Sequence, residues 1–109
     1  MTTVDDRKSS AICDRKAVAV EPAAKERNLK RLRRIEGQVR GVQKMVEEER
    51  YCADILTQIA SVHEALRAVG REIMRNHLAY CATAAIRKDA KSADAMYEEL
   101  LDLIYRHAR

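Results

Sequence analysis

Two cysteines and a histidine are the residues of this chain best suited to chemistry. His77 and Cys81 are four positions apart. On a helix, residues with this spacing share one face with their Cβ atoms about 5–6 Å apart, so both side chains can reach one metal ion. Cys52 precedes Cys81 by 29 positions, and one continuous helix would separate these thiols by roughly 40 Å. If Cys52 is a third ligand, it must come from a second, antiparallel copy of the chain.

This set of donors predicts a soft metal ion, if it binds a metal at all. Two thiolates and one imidazole suit Cu(I), whereas a structural zinc site needs a fourth ligand. Each residue alone is also consistent with a structural role, because helical cysteines often pack as small apolar side chains. A Cys/His pair acting as a nucleophile needs an orienting third group. We find none in the sequence and expect no enzymatic activity.

Long helices must position these side chains. From Cys52 to Arg87, apolar residues recur at steps of three or four, which predicts one long helix with a buried stripe. The same period predicts an earlier helix over residues 23–49. A short third helix is expected after Ser92, which we assign as its N-cap. The sequence therefore predicts an all-α fold with three helices per protomer.

Composition limits the size and organisation of the fold. The chain has 109 residues, with no tryptophan or phenylalanine, four tyrosines and one proline, which allows one domain with a small aliphatic core. Such a core is expected to need a partner helix pair, so we expect an oligomer. We interpret residues 1–22 as a flexible N-terminal tail and residues 23–109 as the helical domain. Cys13 lies in that tail and is expected to be incidental.

Positive charge is concentrated in the first predicted helix. The net charge is +4, but residues 25–44 carry eight basic residues against two glutamates. A basic block of this kind indicates either a phosphate-binding surface or a solvated helix face. The candidate phosphate contacts are Arg31, Arg33, Arg34 and Arg40, with Arg71 and Arg75 on the main helix.

The sequence shows no sign of export or membrane insertion. The first twenty residues lack an apolar run, and no segment approaches the eighteen apolar residues of a membrane span. We expect a cytoplasmic protein with reduced thiols and no membrane partner. In that compartment, cysteines and a histidine at ligand spacing favour metal or redox chemistry.

Three segments together carry a resemblance. Residues 31–41 (RLRRIEGQVRG), 51–59 (YCADILTQI) and 76–81 (NHLAYC) resemble the copper-sensing operon repressor family. The likeness extends over residues 29–104, nearly everything after the tail. It implies an antiparallel dimer that forms a four-helix bundle, usually paired into a disc-shaped homotetramer. It also implies a repressor that binds operator DNA when metal-free and releases it when Cu(I) binds.

The resemblance also implies roles for individual residues. By position, Cys52, His77 and Cys81 match the copper ligands. Tyr51 and Glu99 match an outer pair that couples the metal site to the rest of the protein, with Glu98 as the alternative to Glu99.

Other effectors and other functions remain possible at this stage. Relatives in the same family sense nickel or cobalt, formaldehyde, or persulfide. Persulfide sensors lack the histidine, formaldehyde sensors lack the second cysteine, and nickel sensors use a further histidine near the N-terminus. This chain has no histidine before His63, which favours copper. Outside the family, the alternatives are a copper-buffering helical bundle with no role on DNA and a structural helical oligomer with inert thiols.

Overall fold

The computed structural model describes residues 15–107, and these residues are almost entirely helical. They contain no β-strand, so the predicted all-α fold with three helical stretches is confirmed. The described residues divide into two compact units, Val20–Ala79 and the remainder. In chain order the elements are α1 (Pro22–Glu47), α2 (Cys52–Asn76), a π-helical segment (His77–Ala82), α3 (Thr83–Lys88) and α4 (Ala90–His107).

The first unit is an antiparallel hairpin of α1 and α2. Helix α1 begins at Pro22, where the fixed φ of proline suits the first helical position and its missing N–H costs no hydrogen bond. Apolar residues on the facing stripes are covered, with Ile35 of α1 and Val69 of α2 the most buried. The start of α1 lies beside the end of α2, because the backbone N–H of Glu21 donates to Oδ1 of Asn76 at 3.3 Å.

A short connection reverses the chain between these helices. The N–H of Arg50 donates to the carbonyl of Met45 and the N–H of Glu49 to that of Val46, the pair of bonds that defines a Schellman motif. The motif requires a left-handed residue, and Glu49 adopts φ 54° there. A glutamate thus occupies the position that glycine favours.

In the second unit, α3 and α4 meet at Asp89, and the predicted N-cap at Ser92 is wrong. Asp89 has an extended backbone, and its Oδ1 accepts the N–H of Ser92 at 2.7 Å. Asp89 is therefore the N-cap, and Ser92 is the third helical residue, whose N–H needs an acceptor. The backbone hydrogen bond from Ser92, and then the bond from the Ser92 side chain, lower the pKa of Asp89 below its ordinary value of 3.8.

The predicted main helix is present, but it is not α-helical throughout. Residues 52–88 are helical without a break, while His77–Ala82 adopts the wider π-helical register. Short π-helical segments accommodate an extra residue within a helix and are frequent at functional sites. The apolar periodicity does not predict this change.

Helix α2 has a second apolar stripe beside the buried one. Ile55, Val62 and Val69 are at least half-covered by the hairpin. The neighbouring stripe is exposed in this single chain and consists of Leu56, Ile59, Leu66 and Ile73. Helix α2 therefore presents a continuous apolar surface that α1 does not cover.

Two predictions lie at the edge of what the structure describes. The boundary between a flexible tail and the helical domain at residue 22 stays a prediction, and Cys13 lies outside the described residues. Among residues 15–107, no helix combines the length and apolar character that crossing a membrane requires.

Candidate metal-sensing site and basic helix

Cys52 is the first residue of α2 and is exposed. It follows Tyr51, whose extended backbone (φ −60°, ψ 131°) places it at the N-cap position. The carbonyl of Tyr51 accepts the N–H groups of Asp54 and Ile55 at 3.0 and 3.2 Å. The first turn of α2 therefore holds the Cys52 thiol at an open helix end, accessible to a ligand or to another chain.

His77 and Cys81 both lie in the π-helical segment. His77 is its first residue and Cys81 its fifth, so the i,i+4 spacing noted in the sequence falls within one helical element. Each is half-buried, and Nε2 of His77 is enclosed by surrounding atoms. The π-helical register is therefore confined to the six residues that include both donors.

The length of α2 decides which donors one chain can bring together. The helix contains 25 residues, and at about 1.5 Å per residue Cys52 and His77 lie roughly 37 Å apart. Among the described residues of this single chain, no three His, Cys, Asp or Glu side chains form a group able to hold a metal. The thiolate and imidazole donors still suit a soft ion, but a shared site requires Cys52 from one copy and His77 from another.

Two contacts within the second unit involve the residues before α1. The backbone N–H of Val18 donates to Sγ of Cys81 at 3.3 Å. The guanidinium of Arg15 lies 3.8 Å from the carboxylate of Glu99, which is the predicted coupling residue on α4. This N-terminal segment thus contacts one predicted ligand and one predicted coupling residue. Sequence reasoning missed both contacts, because residues 15–21 carry no periodic pattern.

The predicted coupling pair falls in two different units. Tyr51 is 73% exposed at the start of α2, in the first unit. Glu99 is half-buried on α4, in the second. The structure therefore gives the position of each residue. That Tyr51 and Glu99 together couple the metal site to the rest of the protein remains a prediction.

The six predicted phosphate contacts share one feature. None forms an ion pair with a carboxylate within residues 15–107, and all are exposed except the half-buried Arg31. Other arginines are paired, such as Arg27 with Glu72 and Arg106 with Asp102. Guanidinium groups that carry no carboxylate partner are available to phosphate. The six are Arg31, Arg33, Arg34, Arg40, Arg71 and Arg75.

One cluster in the hairpin was not predicted. Nη2 of Arg27 lies 3.2 Å from Oε1 of Glu72 and 3.9 Å from Oε1 of Glu21. Asn76 contacts the backbone of Glu21 in the same region. In the sequence, Arg27 is only one of the eight basic residues of the block at 25–44, because the pairing of α1 with α2 has no local signal in the sequence.

An all-α chain with a basic helix, with one thiol at a helix start and a second thiol and an imidazole in a π-helical segment, is typical of a small regulator that binds both a metal and nucleic acid. Residues 24–106 match the family model described as a metal-sensitive transcriptional repressor. The match covers most of the chain, and the chain belongs to that family.

Individual relatives agree with this assignment. The chain is 45% identical over 85 residues to the copper-sensing transcriptional repressor RicR of Mycobacterium tuberculosis, a match that covers 78% of this chain and 88% of that protein. It also matches the crystal structure of the copper-sensing repressor CsoR with Cu(I) from Geobacillus thermodenitrificans. That match has a TM-score of 0.74 and 46% identity, and covers 84% of this chain and 94% of the other.

A third similarity is to a regulator that is named for a different effector. A variant of the formaldehyde-responsive regulator FrmR from Salmonella enterica matches with a TM-score of 0.68 and 28% identity, over 82% of this chain and 99% of that chain. Regulators named for different effectors thus resemble this fold, so the effector has to be argued from the donor side chains.

Proposed function

We propose that this protein is a Cu(I)-responsive transcriptional repressor of the cytoplasm, which binds operator DNA when metal-free and is released when Cu(I) binds. The observation that carries the proposal is the placement of soft donors at the start of α2 and in the π-helical segment that follows it. Cys52 begins α2, while His77 and Cys81 lie in the π-helical segment that follows it. Copper is also the effector in the names of the RicR and CsoR relatives.

In this proposal the metal site is shared between two copies of the chain. Cys52 of one copy joins His77 and Cys81 of another, because roughly 37 Å of helix separates Cys52 from His77 within one chain. Cu(I) favours a small number of sulfur and nitrogen donors. By two-fold symmetry each dimer contains two equivalent sites.

The exposed stripe of α2 supports the pairing of chains. Leu56, Ile59, Leu66 and Ile73 are each at least 45% exposed in the single chain. A soluble protein rarely leaves a contiguous apolar surface of this kind open to water. The occupant we propose is α2 of a second, antiparallel copy, which brings the start of one helix beside the end of the other. Two such dimers would form the tetramer.

Operator binding is assigned to the basic surface of α1 and α2. The six arginines without carboxylate partners in the described residues supply positive charge for the DNA backbone. Contacts of this kind fix position and affinity rather than sequence. Each phosphate that is neutralised releases counterions, so the affinity should depend strongly on salt.

Release follows from thermodynamic linkage. If Cu(I) binds more tightly to the conformation with low affinity for DNA, then DNA must weaken Cu(I) binding by the same factor. Tyr51 and Glu99 are the proposed coupling residues. Glu99 also forms an ion pair with Arg15, so the segment before α1 contacts one of them.

A gel-shift assay tests the proposal. Metal-free protein is titrated onto the DNA upstream of its own gene, with and without Cu(I), and with formaldehyde, Ni(II) and Zn(II) as other effectors. We expect a complex that Cu(I) alone dissociates. Binding of Cu(I) with no operator complex would favour the buffering bundle, and release by formaldehyde or Ni(II) would favour another sensor of the same family.

A further inference from the structure

A polar cluster joins the beginning of α1 to the end of α2. The carboxylate of Glu72 accepts a hydrogen bond from Nη2 of Arg27 at 3.2 Å. The same guanidinium lies 3.9 Å from Glu21, the residue at the N-cap position of α1. The side chain of Glu21 makes no capping hydrogen bond. Instead, its backbone N–H is held by Oδ1 of Asn76, so the start of α1 is positioned from α2.

This cluster lies between the residues assigned to metal binding and the residues assigned to DNA binding. Asn76 immediately precedes His77, the first residue of the π-helical segment. Arg27 lies one turn before Arg31 and two turns before Arg34, on the same line along α1. A displacement of the end of α2 would therefore reach the start of the basic helix through these side chains.

We infer that Arg27, Glu72, Asn76 and the backbone of Glu21 form a clamp that transmits metal binding at His77 to the DNA-binding face of α1. The inference rests on the proposed function and adds a named route for its coupling. Arg27 acts here as a positioning residue, whereas its place in the basic block would make it a phosphate contact.

The two roles of Arg27 predict different results. A phosphate contact contributes to operator affinity in the metal-free protein and to its salt dependence. A clamp residue leaves both unchanged and alters only the ratio of operator affinities without and with Cu(I). Glu72 distinguishes the roles further, because a carboxylate has no attractive interaction with phosphate.

The experiment measures that ratio in Arg27→Gln, in Glu72→Gln and in the double variant, using operator DNA with and without Cu(I). Each single variant is expected to reduce the ratio about two- to five-fold, since exposed ion pairs favour a state by no more than such a factor. The double variant should show no larger reduction than either single variant, because residues that act as a pair are not additive. Metal-free operator affinity should stay within about two-fold of wild type.

A control and a second readout complete the test. Glu64→Gln removes an exposed ion pair with Arg67 that lies within α2 alone, and it should leave the ratio unchanged. Without metal or DNA, amide hydrogen exchange in the first turn of α1 should be faster in Glu72→Gln than in wild type.

An unchanged ratio of operator affinities in Glu72→Gln overturns the clamp. So does a drop in metal-free operator affinity confined to Arg27→Gln, which would make Arg27 a phosphate contact. If wild-type protein is not released by Cu(I), the proposed function itself is wrong.

Discussion

At the scale of single residues, the three candidate metal donors lie where the secondary structure begins or changes. Cys52 opens a helix, and His77 and Cys81 lie where the main helix changes to the π register. Cys81 already serves as a hydrogen-bond acceptor for the backbone of Val18. The proposed Cu(I) donors therefore lie at the start of a helix and in a segment whose register departs from the α-helix.

Replacing His77 by alanine should separate metal sensing from DNA binding. We expect His77→Ala to bind operator DNA with wild-type affinity and to lose release by Cu(I), because one of the three donors is missing. His63→Ala is the matched control, since His63 is an exposed histidine on α2 outside the donor set. Normal release of His77→Ala by Cu(I) would contradict the assigned ligand.

At the scale of elements, the helices predicted from the spacing of apolar residues agree with the helices in the structure. Steps of three and four between apolar residues predicted α1 and the main helix within a few positions. The N-cap at Asp89 was missed because Asp89 and Ser92 are both good caps, and only the extended backbone of Asp89 decides between them. The π-helical segment and the contacts of Arg27 and Val18 depend on tertiary packing, which one sequence does not display.

The left-handed residue of the α1–α2 connection gives a prediction about stability. Glu49→Gly should stabilise the fold by about 0.5–1 kcal/mol, because relief of the left-handed strain exceeds the entropy that glycine loses on folding. Glu48 has φ −85°, so Glu48→Gly in the same turn should destabilise the fold by a similar amount. Urea denaturation of both variants checks the opposite signs. Equal effects would mean that Glu49 is not strained.

The cap of α4 gives a prediction about pH. The pKa of Asp89 is lowered in the folded state, so its stabilising effect is fully present above the unfolded-state pKa. That effect is lost as the pH falls through the lower, folded-state pKa. Asp89→Ala should therefore lower the melting temperature at pH 7, and the difference from wild type should shrink below pH 3.8. Asp89→Asn retains a capping side chain and should melt near wild type at pH 7. A difference from wild type that is independent of pH would contradict the assigned cap.

At the scale of the whole molecule, the proposed function depends on assembly. One chain leaves an apolar stripe of α2 open and holds Cys52 far from His77, and the second antiparallel copy that we propose would account for both features. The proposed oligomer would present two or more basic surfaces to one operator.

Operator binding should weaken steeply with salt, through the arginines assigned to phosphate. Arg34→Gln should reduce the slope of log K against log salt by about 0.9 for each phosphate that the variant no longer neutralises. Arg106→Gln is the control, because Arg106 is paired with Asp102 on α4. Salt titrations of operator affinity provide the measurement. An unchanged slope in Arg34→Gln would remove that residue from the DNA surface.

Subunit complementation tests the shared metal site most directly. If the site is shared as proposed, Cys52→Ala and Cys81→Ala each break both sites of their own homodimer, but a mixed dimer regains one complete site, with Cys52 from one chain and His77 and Cys81 from the other. The two variants are unfolded together, refolded and titrated with Cu(I) against a chelator strong enough to strip two-ligand sites. A shared site predicts no tight copper in either variant alone and about one tight Cu(I) per four chains in the equal mixture, since half of randomly paired dimers are mixed. A mixture that binds no more copper than its components would contradict it.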